Sequence, residues 1–195
     1  MPLTPCAKVI KYVPATCGVK PGGIARIGIA DATLWDFTQA APISGVPQPY
    51  SSLTDLGTSS LIYGVQFTRQ QAEYTVDNKN TDGVAPGYTH KLSFAVPDIS
   101  ALTYQWSSLV DNQGYCCGVL IFIILNSGRV LIMGEASVNA NPLPVPFYTY
   151  QDGSKGTSGK KMDDQNQYNA VLTGMYNRNL IEYTGDINAL LAIFA

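Results

Sequence analysis

The chain has 195 residues and a mass of 21.0 kDa, the size of one domain able to bury a sizeable core. Apolar residues make up 46% and charged residues only 13%, roughly half the charged share of an ordinary soluble chain, so part of the surface is suited to burial against copies of itself. A net charge of −2 and a pI near 5.2, with no basic run longer than Lys160-Lys161, argue against a surface that grips phosphates and so against direct nucleic-acid binding.

In chain order, Met1 to Cys6 lacks the basic start and apolar stretch of a signal peptide, and secretion by that route is not expected. Residues 8–13 and 24–30 lean to strand on either side of Gly18 and Pro21-Gly22-Gly23. Residues 31–60 are dense in Pro, Gly, Ser and Thr and read as a long loop, with Leu34 to Phe37 as one short strand within it. Over Leu61–Thr68 the alternation of Leu61, Tyr63, Val65 and Phe67 predicts a half-buried strand. Glu73–Asp77 and Tyr88–Val96 alternate likewise and form a hairpin with a long polar tip; Tyr88, His90, Leu92, Phe94 and Val96 share one face, Thr89, Lys91 and Ser93 the other. Asp98 is placed as the N-cap of a helix over 98–113, with Ile99, Leu102, Trp106, Leu109 and Val110 as its apolar positions.

The longest apolar stretch, Tyr115 to Leu125, is too short to cross a bilayer as a helix, and no membrane insertion is expected. Cys117–Leu125, the turn Asn126-Ser127-Gly128 and Arg129–Glu135 together predict a tight, buried hairpin. Residues 136–162, with prolines at 142, 144 and 146 and a glycine- and lysine-rich run, read as a second long loop. Gln165–Arg178 reads as a last strand, and Ile187–Phe194 as an apolar segment, helix or strand. The whole describes a mainly β single domain over 1–195, a β-sandwich or half-barrel of antiparallel strands with one flanking helix and a protruding hairpin.

Chemistry-bearing patterns are sparse. Gly153 to Lys161 imitates a phosphate-binding loop, but five residues separate its outer glycines and Lys161 stands where Ser or Thr belongs. A single histidine excludes a triad or a multi-histidine metal site, and His90 reads as a packed or surface residue. Asp163-Asp164 beside two lysines reads as a solvated turn. Cysteines at 6, 17, 116 and 117 lack zinc spacing and read as free thiols, with a Cys6–Cys17 link left open. Trp35, Trp106 and Tyr148–Tyr150 offer rings for core, interface or, as an alternative, a carbohydrate-binding groove. No cofactor and no enzymatic activity are expected.

The order of segments resembles the major tail-tube proteins of long-tailed bacteriophages, and Pro21-Gly22-Gly23-Ile24, Tyr88 to Phe94, Asn126 to Gly134 and Asp164 to Gly174 are similar to stretches of such proteins from phages of Bacteroidetes-type hosts. The resemblance implies a virion structural protein made in the host cytoplasm. Hexameric rings would stack by self-assembly into a tail tube, in contact with other tail proteins, conducting double-stranded DNA during ejection without sequence-specific binding. It implies an arm to the neighbouring ring at Asp77, Asn78, Lys79, Asn80, Thr81, Asp82 and Gly83, and a lumen face including Glu73, Thr75, Thr89, Lys91 and Ser93. Another tail or head-tail connector ring is the alternative within the same class.

Overall fold

The computed structural model describes residues 22–43, 47–68, 70–79, 87–97, 99–147, 149–158 and 166–195. The strand expected over 8–13, Asp98, Tyr148, Asp163-Asp164 and Asn80 to Gly83 of the arm lie outside them. In chain order the elements are β1 (Ile24–Asp31), a 3-10 turn (Ala32–Leu34), β2 (Trp35–Gln39), β3 (Tyr50–Asp55), β4 (Tyr63–Val65), β5 (Ala72–Lys79) and β6 (Gly87–Pro97). Then come α1 (Ala101–Cys116), β7 (Val119–Leu125), β8 (Val130–Met133), β9 (Glu135–Val138), β10 (Asn141–Phe147), β11 (Thr149–Gln151), β12 (Lys155–Thr157), β13 (Gln167–Tyr176), β14 (Ile181–Tyr183) and α2 (Ile187–Ala192).

Two sheets result. The larger has nine strands in the order β10-β9-β2-β3-β14-β8-β7-β1-β4; the smaller runs β11-β13-β6-β5, with β12 also on β13. Among the described residues the strand pairings are antiparallel except β14 with β3 and β2 with β9, and an isolated parallel bridge joins Ile62 to Phe194. Val119, Ile121 and Ile123 of β7 turn toward the small sheet and meet Leu92, Phe94 and Leu172, while Leu120, Phe122 and Ile124 turn the other way into a second core with Trp35, Phe37, Tyr50 and Leu190. The unbroken apolar run of β7 is therefore the sequence of a strand buried on both faces. Each such side chain contributes about 1.5–3 kcal/mol on burial.

Several expectations are corrected. Residues 31–60 are not one loop: β2 pairs with β3 from Trp35↔Asp55 to Gln39↔Tyr50, because Tyr50 and Phe37 stack in the second core while the serines of β3 face out. Nor is 136–162 a loop, since it carries β10, β11 and β12, and the prolines sit on an edge strand, where a missing N–H costs no ladder bond. Only Tyr63–Val65 of the strand expected over 61–68 is regular, and Leu61 and Tyr63 are exposed. The apolar tail resolves as α2, N-capped by Asp186, whose carboxylate accepts from the Asn188 N–H at 2.8 Å.

The helix runs from Ala101 rather than Asp98, with the Ser100 hydroxyl accepting from the Thr103 N–H at 3.3 Å, and continues past Gly114 to Cys116. The expected strand Arg129–Glu135 is split into β8 and β9 by Gly134, which has φ +91°. A Cβ at Gly134 would lie 2.4 Å from the Val119 carbonyl oxygen. Gly134→Ala is therefore expected to lower unfolding stability by at least about 2 kcal/mol, combining left-handed strain with a backbone collision. Urea denaturation checks this.

Candidate assembly interface

The two sheets treat their margins differently. On the large sheet, β4 is covered on its outer side by the C-terminal residues: Gly64 N–H donates to the Ala195 carbonyl at 3.0 Å and Ala195 N–H to that of Ile62 at 2.8 Å. At the other end β10 carries proline at 142, 144 and 146, a spacing of two that strips the donors from one side of the strand. The small sheet has no such protection among the described residues. Its edge strand β5 pairs with β6 over all eight residues, Ala72↔Phe94 to Lys79↔Gly87, without a bulge or proline, and its outer side has no strand partner among the described residues. The opposite margin consists of two three-residue strands, β11 and β12.

The ladder aligns Glu73 with Ser93, Thr75 with Lys91 and Asp77 with Thr89. All five residues expected to line a lumen thus share the face of the small sheet turned away from the core, together with Asp77 and the β13 residues Asn169, Val171, Thr173 and Met175. Of these ten residues four carry hydroxyls and one an amide, Val171 and Met175 are apolar, and Glu73, Asp77 and Lys91 are charged. Of the arm, Asp77, Asn78 and Lys79 end β5; the structure brings them to the tip side of the hairpin.

Behind β5 lies a buried polar tie. His90 is fully buried, with Nε2 3.0 Å from the Arg178 carbonyl oxygen and Nδ1 2.7 Å from the Tyr74 hydroxyl. The carbonyl only accepts, so Nε2 carries the hydrogen and Nδ1 accepts from Tyr74. Tyr74, Tyr88 and Tyr176 surround the imidazole with ring centroids 6.0, 6.2 and 5.1 Å away. The Arg178 guanidinium pairs with the buried Glu135 and lies 3.4 Å from the Tyr50 hydroxyl, so the edge strand is linked through β6 to β9 and β3. Burial lowers the His90 pKa against a weaker opposite pull from the Arg178 carbonyl, and burial pushes the Tyr74 hydroxyl up to about 12. It raises Tyr176 too, and it lowers Arg178.

The face that α1 turns outward differs from the one expected. Thr103, Ser107 and Val110 are buried, whereas Leu102 and Leu109 are 75% and 67% exposed and Tyr104 is 55% exposed. Directional bonds set this rotation. The Ser107 hydroxyl lies 2.7 Å from the Tyr168 hydroxyl, which donates to Gln151 Oε1 at 2.9 Å, and Gln151 Nε2 donates to the Ser107 carbonyl at 2.9 Å. Periodicity alone could not find this, because the sequence does not show which polar groups have buried partners.

Other candidates change as well. Trp35 is 2% exposed and cannot floor a sugar groove; Trp106 packs edge-on against Phe94. Residues 155–157 of the glycine- and lysine-rich run form β12 rather than a phosphate-cradling or flexible loop. Cys117 is disulfide-bonded, contrary to the free-thiol expectation, and its partner is not among the described side chains. Among the described residues, no three or more His, Cys, Asp or Glu side chains gather as metal ligands, and no helix is long and apolar enough to cross a membrane. The chain matches no protein-family model, no curated protein and no solved structure.

The lowered His90 pKa fixes a pH dependence. An unfolded histidine protonates near pH 6.5, whereas the folded one resists protonation until lower pH, so the unfolded chain binds the extra proton first. Folding stability should fall as pH drops below about 6.5 and level off beneath the folded pKa. Urea midpoints between pH 8 and 5 check this, and His90→Gln should flatten that part of the profile while lowering stability throughout.

Proposed function

We propose that this chain is a structural subunit that assembles with copies of itself through the margins of its small sheet. The observation that carries the proposal is the contrast between edges: both ends of the nine-stranded sheet are covered or stripped of donors, while β5 leaves a flat eight-residue edge unpaired among the described residues. Unpaired strand edges recruit further strands, and a second copy offers the matching margin at β11 and β12. Joining unlike margins is a heterologous contact, which closes into a ring when the rotation allows.

The fold and the resemblance of the sequence to phage tail-tube proteins favour the particular reading of a virion component: hexameric rings stacked into a tail tube that conducts DNA. In that arrangement Glu73, Thr75, Thr89, Lys91 and Ser93 line the lumen and the tip at Asp77 to Gly83 reaches the next ring. Three hydroxyls with Lys91 as the single cation, offset by Glu73, suit passage of DNA without retention, since grip on phosphates needs clustered Lys and Arg. A head-tail connector would share the ring but not the stacking.

Negative-stain microscopy and light scattering of the purified chain at rising concentration test the reading. Rings that stack into tubes are expected, single rings would favour the connector, and a monomer at all concentrations would overturn both. Val76→Pro removes a backbone donor from the open side of β5, because the Ala95 N–H bond to the Gln71 carbonyl sets a ladder in which Glu73, Thr75 and Asp77 turn their N–H groups to β6 and Val76 turns its own away; it should abolish assembly, with the fold checked by circular dichroism.

A further inference from the structure

The two margins carry more than strand edges. At the β4–β5 margin a groove of about 1190 Å³ opens between the sheets, with Ile24, Phe67 and Phe194 as apolar walls and Gln66, Gln70 and Asn126 as polar ones. Arg26, exposed, is the only charged side chain among its described lining residues. The opposite margin is flanked by α1, whose Ser107 bonds to Tyr168 and Gln151 and whose Tyr104 hydroxyl lies beside β12 at Gly156.

On α1 the exposed Leu102 and Leu109, seven residues apart, follow one flank, and Tyr104 with Asp111 follows the other. The crest between them is small or polar: Ala101, Gln105, Ser108 and Asn112. A helix with two leucines on one flank and a tyrosine ring beside a carboxylate on the other meets two walls better than it meets a plane. Asp111 is also the single charge in the α1 sequence, opposite in sign to Arg26.

From this complementarity we infer that α1 of one copy seats in the β4–β5 groove of the next, so that subunits join head to tail. The inference rests on the self-assembly reading above and specifies which surfaces meet. Both margins mix apolar and polar groups, Arg26 and Asp111 are opposite in sign, and the same two margins hold the uncovered edges of the small sheet among the described residues. A helix-to-helix contact would leave the groove and Arg26 without a role.

Two variants altered only at exposed positions test the arrangement: Leu102→Arg with Leu109→Arg on the helix, and Arg26→Asp with Gln66→Asp in the groove. Each alone should raise the concentration needed for assembly at least tenfold while leaving circular dichroism and thermal unfolding unchanged. Mixed in equal amounts, they should form pairs and nothing larger by light scattering, because each retains one intact surface. Assembly of the helix variant at the wild-type concentration would overturn the inference, as would a mixture that stays monomeric while wild type assembles. Wild type that never assembles would overturn the self-assembly reading itself, a separate result from loss in the variants alone.

Discussion

β7 is the strand on which the rest of the molecule depends. With Val119, Ile121 and Ile123 in one core and Leu120, Phe122 and Ile124 in the other, it is the wall shared by both cores. A strand buried on both faces must have both edges paired, and β1 and β8 supply those pairs. From that centre the large sheet extends in both directions until it reaches strands that stop it: short β4 under the C-terminal residues and proline-bearing β10. The small sheet covers one core, while β2, β3, β14 and α2 enclose the other.

Much of this was legible in the sequence. The β7–β8 hairpin, the alternation of β6 with His90, Leu92 and Phe94 inward, and the inward set Tyr168, Ala170 and Leu172 of β13 all follow from period-two patterning. Thr89, Lys91 and Ser93 were placed on a common outer face for the same reason, and the register adds Glu73 and Thr75 to it. What patterning missed shares one cause: composition stood in for partners that lie far along the chain. Tyr50–Asp55 is polar and becomes a strand only because β2 and β14 lie beside it, and alternate prolines suit an edge whose inner side is already paired to β9.

The buried polar groups were the least legible part. His90 could be placed inward by alternation, yet its tie to Tyr74 and to the Arg178 carbonyl joins residues 16 and 88 positions away. Glu135 and Arg178 form an ion pair across 43 positions, and nothing in either local sequence announces it. These contacts fix the small sheet against the large one with a directionality that apolar packing lacks. They also place the edge strand β5 in a defined setting rather than leaving it to fray.

The hydrogen-bonded inner side of α1 separates two duties that most amphipathic helices combine. Ser107, Tyr168 and Gln151 fix how the helix is turned, so Leu102 and Leu109 contribute little to folding. Exchanges at these two positions would leave the domain intact while changing the texture it presents outward. The helix exterior is thus open to drift, or to matching with a new counterpart, independently of the cores beneath it.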